Sequence, residues 1–343
     1  MKLAVVGCGG IAQLVHIPSL LRLDEAELVA VCDRYADLAE AVAQRYGIAR
    51  FYSDSETMYE EEELDAVLIL TPPDSHAQET VKAARSGKHV LVEKPMAMNP
   101  QECETMVEQC RRAGVSLMVA FMKRFDPGLT WLKQRLERGE LGDVFAIDSW
   151  YFDTIHHMEY VRGFNPEFLR PRRRESVGAA RWGEHKALLL THGIHHIDLL
   201  QWMGGEIKRV VSTYRKISPN AFLSTSIIEY EGGASGCFQL GGTVTWDWQE
   251  GVLIHGTEGS AQATIPFPYF KCPSRVTMYS NKASAYVRPQ ISFRDQYLSE
   301  LHHFVDCVAA GRTPRPTGEE GLRDHLVLEA IELSAREERP VRL

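Results

Sequence analysis

The chain has 343 residues, 44% of them hydrophobic and 24% charged, with a formal net charge of −8. That length exceeds what one hydrophobic core usually supports and predicts two domains of ordinary globular composition, while the acidic balance lacks the basic footprint of a nucleic-acid binder. No run of 18 or more apolar residues predicts a membrane span, and an N-terminus that runs as a strand straight into glycines, MKLAVVGCGG, has no signal-peptide pattern, so a cytoplasmic protein is expected. The cysteines at 8, 32, 103, 110, 237, 272 and 307 are scattered without a C-x-x-C pair, as reduced core thiols would be.

Residues 2–8, KLAVVGC, form an apolar run without alternation, the signature of a strand covered on both faces in a parallel sheet. Gly7, Gly9 and Ala12 then spell G-x-G-x-x-A. In a dinucleotide-binding turn the first glycine permits the tight turn, the second lets a pyrophosphate approach the backbone, and the small third residue lets helix and strand pack closely. The run to about Leu23 fits a helix if Pro18 kinks it or opens a second one. A second strand, ELVAVCD, ends at Asp33, where a carboxylate would accept the ribose hydroxyls of adenosine. The plainer alternative is that Asp33 caps the helix beginning near Ala36. Arg34 would suit a 2′-phosphate or stack on adenine, but Asp33 would repel that phosphate, so NAD is expected over NADP.

The α/β alternation continues with a helix over 36–46, a strand over 65–73, a helix to about 86, the strand HVLVEKP, a helix over 100–113 and VSLMVAF to 121. The acidic stretch at 60–64 reads as solvated surface. Ligands of open α/β sheets bind at the carboxyl ends of strands. This singles out Thr71, Pro72 and Pro73, then Glu93, Lys94 and Pro95, then Lys123 and Arg124. Lys94, between a buried strand and a proline, is positioned by the fold.

The second half reads as strands separated by Gly, Asn and Pro turns, from FAIDSWYF through RVTMYS, with helical periodicity returning from about 294. Within it, THGIHHID puts His192 and His196 four apart on one helix face, the spacing of two zinc ligands, and His195 and Asp198 on another. No third ligand stands at a recognisable spacing, so no metal is expected. In a long insertion, about 155 to 190, RPRRR supplies Arg170, Arg172, Arg173 and Arg174, which suit either a solvated or subunit-contact surface or the recognition of an anionic substrate.

Taken in order, GCGGIA, TPPDSH, VEKP, GIHHID, HGTEGS and the closing stretch from ELHHFVDCVAAG to EERPVRL resemble the Gfo/Idh/MocA family of nicotinamide-dependent sugar and polyol oxidoreductases, over essentially the whole chain. The resemblance implies a Rossmann domain over 1–121 and an α/β domain over 122–343. The second domain would have an open, predominantly antiparallel sheet for substrate binding and assembly into a homodimer or homotetramer. It implies a cofactor site drawn from Gly7, Gly9, Gly10, Ile11, Ala12, Asp33, Arg34, Thr71, Pro72, Pro73, His76, Glu93, Lys94 and Arg124. It also places the motif D-x-G-x-H-x-x-D on Gly193, His195 and Asp198, with Thr191 where the first aspartate belongs.

In the family, the lysine and histidine matched by Lys94 and His195 handle the proton of the substrate hydroxyl. A histidine titrating near neutrality suits that role, and a lysine stabilises charge on the reacting oxygen. Substrate contacts would come from Lys94, Arg124, Thr191, His192 and His195, with His196 and Asp198 structural. The implied activity is hydride transfer between NAD and a hydroxyl or carbonyl of a sugar, polyol or sugar acid. The alternatives are an NAD-using glycosidase or lyase that returns the hydride in each turnover, and a nicotinamide-binding sensor without turnover. Thr191 removes a negative charge, which together with the arginine run favours a carboxylated substrate.

Overall fold

Leu3 to Val6 are buried on both faces of strand β1 (Lys2–Val6), as the unalternating apolar run requires. The computed structural model to which this strand belongs describes residues 1–164, 167–172, 184–218 and 221–343. The chain divides into two units. One comprises Met1–Phe121, Phe164–Arg181 and Tyr297–Arg323, the other Met122–Gly163, Trp182–Gln296 and Asp324–Leu343. Two later stretches thus join the first unit, although a single cut after residue 121 would assign them elsewhere.

In the first unit β1, β2 (Glu27–Cys32), β3 (Arg50–Tyr52), β4 (Ala66–Ile69), β5 (His89–Glu93) and β6 (Leu117–Ala120) form a parallel sheet in the order β3-β2-β1-β4-β5-β6. The order reverses between β1 and β4, where such sheets open a crevice at their carboxyl ends. After β1 a wide π-turn over Ala12–His16 leads into α1 (Ile17–Leu20), with the Ile17 N–H reaching back five residues to the Ala12 carbonyl. Pro18 has no N–H for the ordinary i−4 bond, and the wide turn directly before it takes up the misfit. The helix ends at Leu20, short of Leu23.

α2 (Ala36–Tyr46) and α5 (Pro100–Ala113) stop at Gly47 and Gly114, both left-handed, as glycine C-caps do. α4 (Pro73–Arg85) begins at its proline, which needs no N–H partner there, so β4 ends before the expected 73. The short β3 and α3 (Ser55–Glu61) escape the periodicity reading, although Asp54 accepting the Thr57 N–H is an ordinary cap signal.

The second unit begins with a 3₁₀ turn, Met122–Phe125, and α6 (Pro127–Glu137). Its sheet has nine strands, in the order β14-β13-β12-β11-β7-β10-β9-β8-β15. In chain order these are β7 (Val144–Thr154), β8 (Ile207–Lys216), β9 (Phe222–Tyr230), β10 (Ser235–Val244), β11 (Gln249–Gly256), β12 (Gly259–Thr264), β13 (Arg275–Ser280), β14 (Ala285–Val287) and β15 (Val341–Arg342). Every pairing is antiparallel except β7 with β10.

Helices α7 (His157–Phe164) and α8 (Glu184–Leu188) precede a second π-turn, Leu189–Gly193, which continues into α9 (Ile194–Gly204). Residues Ile194 through Leu200 are all buried, so α9 is a core helix. It packs against the sheet closely enough that a Cβ at Gly204 would lie 2.5 Å from Ile147 Cδ1. Helical periodicity returns in α10 (Gln296–Ala309) and α11 (Gly318–Glu337). Among the described residues no helix is long and apolar enough to cross a membrane.

Candidate active site

The first glycine turn is fixed by backbone geometry. Gly7 has φ +100°, and a Cβ there would come within 2.6 Å of the Leu70 carbonyl carbon and the Thr71 nitrogen. Only glycine fits both constraints. At Gly9 an added Cβ meets nothing within 4 Å, so this stretch of backbone is open to a ligand. The turn is held by Asp33, whose Oδ2 accepts the Cys8 N–H at 2.8 Å and whose Oδ1 accepts the Tyr35 N–H at 3.0 Å. Asp33 therefore braces the glycine turn and the entry to α2 together, and each oxygen keeps a further acceptor site.

These residues border a cavity of about 760 Å³ that includes Gly7, Gly9, Gly10, Ile11, Asp33, Arg34, Thr71 and Pro72. Ala12 is fully buried and serves the packing of helix on strand, while Pro73 opens α4. Arg34 is exposed and lies 4.8 Å over the Tyr35 ring, its Nη2 donating to the Tyr35 hydroxyl. An open glycine backbone, an acceptor at the end of β2 and a cavity of this size fit a dinucleotide.

The same cavity has a wall that the sequence did not announce, formed by Phe168, Leu169, Arg170 and Pro171. Gln13 fastens this strap by donating to the Leu169 carbonyl at 3.0 Å and accepting the Leu169 N–H at 2.9 Å. Arg45 donates to the Glu167 carbonyl, and Asp37 accepts the Arg172 N–H. Arg170 therefore borders this cleft, and Arg172 is held beside it by its backbone N–H on Asp37. Arg173 and Arg174 lie outside the described residues.

Three expected cofactor contacts have other duties. The His76 ring is buried and lies between two carbonyls, Pro95 O at 2.9 Å from Nδ1 and Thr71 O at 2.8 Å from Nε2. Burial pushes its pKa down. It joins the loops after β4 and β5 instead of lining the cleft. Glu93 is also buried, with Oε1 2.8 Å from His16 Nε2 and Oε2 accepting the Lys94 N–H at 2.9 Å. Burial alone would raise the Glu93 carboxyl, but the His16 hydrogen bond and charge, with Lys94, hold it below the usual range. Its role is to set the backbone of Lys94, whose side chain is half-buried.

The third is Arg124, expected to touch both cofactor and substrate. Its guanidinium grips Asp198 within the second unit, side chains 9% and 1% exposed, and lies 5.9 Å from the Trp202 ring. It is an anchor for α9, and Asp198 is its counterpart.

The histidine segment resolves into three different environments. His196 is completely buried, stacks on Phe238, and donates to Glu250 Oε1 at 2.7 Å. Burial lowers its pKa against the opposing pull of Glu250. Lys123 reaches the same Glu250 oxygen at 2.5 Å, and the Trp248 indole donates to the other at 3.2 Å, so Lys123 too is structural. His195, about one turn along the motif from Thr191, is nearly buried at 7% exposure. His192 is partly open, its ring 5.4 Å from Tyr151, and His196 lies 5.7 Å from the same ring, so the two do share a face. Thr191 spends its hydroxyl locally, donating to the Ala187 carbonyl at 2.8 Å and lying 2.9 Å from His192 Nδ1.

Comparison with known proteins finds family models over both halves of the chain. The model of the Gfo/Idh/MocA oxidoreductase family's NAD-binding Rossmann fold matches residues 1–121, and that of its C-terminal α/β domain matches 133–343. The chain belongs to the Gfo/Idh/MocA oxidoreductase family. Among the relatives of this family member, scyllo-inositol 2-dehydrogenase (NAD(+)) of Bacillus subtilis (strain 168) is 29% identical over 92% of this chain and 88% of that protein. D-apiose dehydrogenase of Paraburkholderia graminis is 26% identical over 100% and 89%. An oxidoreductase from Agrobacterium radiobacter, solved with NAD+, L-tartaric acid and magnesium, shares the fold with a TM-score of 0.82 at 20% identity, covering 100% of this chain and 98% of that one.

Proposed function

We propose that this family member is an NAD-dependent dehydrogenase acting on a secondary hydroxyl of a sugar, polyol or sugar acid. The observation that carries the proposal is Lys94, held by the buried Glu93–His16 pair at the carboxyl edge of the sheet whose β2 ends in Asp33. When bound, the nicotinamide accepts the hydride of the alcohol carbon. Lys94 hydrogen-bonds the reacting oxygen and stabilises negative charge as it develops there. His195 takes the hydroxyl proton. The inositol and apiose dehydrogenase names of two relatives support the substrate class.

The proposal extends to a homodimer or homotetramer through the nine-stranded sheet, supported by the exposed Phe145, Ile227 and Tyr286 on its strands. It also extends to a cytoplasmic setting, supported by seven cysteines with no disulfide assigned among them.

The test is NAD+ reduction, followed by nicotinamide absorbance, with a panel of inositols, aldoses and aldonates. Stoichiometric NADH from one of them is expected. A protein that binds NADH but yields no net NADH with any substrate would remove the dehydrogenase reading.

A further inference from the structure

Asp153 is the penultimate residue of β7, and α7 begins four residues later at His157. Both Asp153 oxygens meet His157 Nδ1, at 2.9 and 3.0 Å, and Oδ2 also lies 3.6 Å from His192 Nε2. His192 is oriented in turn by Thr191 Oγ1 at Nδ1. The carboxylate is therefore held by the imidazole of His157 and lies beside a second imidazole from another element, and it remains 16% exposed. Held side chains of this kind give a binding group a fixed direction, which lowers the entropy cost of using it.

These three residues border a cavity of about 560 Å³, roomy enough for a six-membered ring with its substituents. Part of its rim is apolar: Ile155 is 45% and Met158 54% exposed beside the polar cluster. A carboxylate with spare acceptor sites next to flat aliphatic surface matches a carbohydrate ring, which presents hydroxyls at its edge and C–H groups on its face. Among the described residues no lysine or arginine borders this cavity. Its other carboxylate, Glu184, faces Lys216 at 2.8 Å.

We propose that Asp153 is a specificity-determining residue of this cavity. Its carboxylate accepts hydrogen bonds from neighbouring hydroxyls of a neutral ring polyol or sugar seated on Ile155 and Met158, and it rejects the carboxylated counterpart. This rests on the dehydrogenase reading for its biological use, but not for its test. A hydroxyl gains a charge-assisted bond to Asp153, whereas a substrate carboxylate meets like-charge repulsion there, with no guanidinium fork among the described residues of the cavity to answer it.

The experiment is calorimetric titration of the intact chain, with and without NADH, using myo-inositol, D-glucose and D-glucuronate as probes. Wild type is expected to bind glucose at least about tenfold more tightly than glucuronate, the size of one charge-assisted hydrogen bond. Asp153→Asn should weaken inositol and glucose by about tenfold and close the gap to glucuronate. Met158→Arg, an exposed position whose change spares folding, should favour glucuronate by a similar factor. Inositol and glucose affinities within twofold of wild type in Asp153→Asn, or no measurable binding to wild type, would overturn the proposal. So would an unchanged glucose-to-glucuronate ratio in Met158→Arg. If binding shows the expected Asp153 dependence while NAD+ reduction fails with every substrate, the subsite stands and the dehydrogenase reading falls.

Discussion

Arg124 and Asp198 meet in a two-pronged ion pair inside the second unit: Nε lies 3.0 and 3.1 Å from the two carboxylate oxygens, and Nη2 2.6 Å from Oδ1. Both side chains are nearly buried, so removing one leaves the other as a desolvated charge. Asp198→Ala is expected to cost about 3–5 kcal/mol of unfolding free energy in urea. Replacing both partners with apolar residues, Arg124→Met with Asp198→Leu, should restore most of it. A double variant no more stable than the single one would mean that the pair does more than satisfy itself.

Asp33 supports the glycine turn and is expected to meet the ribose as well. Asp33→Ala should weaken NADH by about tenfold, the loss of a hydrogen bond to a charged acceptor. NADPH, weaker in the wild type, should be affected much less, because Arg34 remains. If NADH affinity stays within twofold, the carboxylate is a brace for Cys8 and Tyr35 alone.

Lys94 and His195 carry the proposed chemistry and not the anchoring of the dinucleotide. Lys94→Ala and His195→Ala should each lower kcat by roughly 10²- to 10⁴-fold, while NADH affinity measured by fluorescence titration changes only a few-fold. Near-normal turnover in the histidine variant would transfer the proton to another group.

His185 gives a pH prediction. Its ring stacks on Tyr214 with centroids 4.4 Å apart, Nε2 lies 2.9 Å from Ser224 Oγ, and burial pushes its pKa from 6.5 down to about 4. The unfolded chain therefore takes up a proton below about 6.5 that the folded chain refuses until about 4. The neutral ring's contribution to stability is complete above 6.5 and is lost as pH falls through that window. His185→Phe keeps the stacking and removes the proton. Its urea midpoint should fall less than that of wild type between pH 7 and pH 4.5, and equal slopes would show that His185 is solvated in the folded state.

Much of the first unit was legible because its signals are local. The apolar run of β1, the turn at Gly7 and the acid ending β2 lie within 33 residues of one another, and turn sterics and strand periodicity act over just such distances. The carboxyl ends of β4 and β5 were equally readable, which brought Thr71 and Lys94 forward. What sequence spacing does not carry is the direction in which a side chain at such an end turns. His76 turns to the Pro95 and Thr71 carbonyls, Glu93 to His16, and Arg124 to Asp198, each drawn by a buried partner that would otherwise be left unsatisfied.

The histidine segment shows the same division. Its helical spacing correctly paired His192 with His196, but Glu250 from β11 decided that His196 is structural, and Asp153 from β7 decided what faces His192. The strap of Phe168 to Pro171 had no local signal at all, since its place in the cleft depends on Gln13, more than 150 positions away. Turn and helix geometry is set by neighbouring residues and can be read from their order. A buried polar group takes whichever partner the packed chain brings within reach, and only the tertiary structure says which that is.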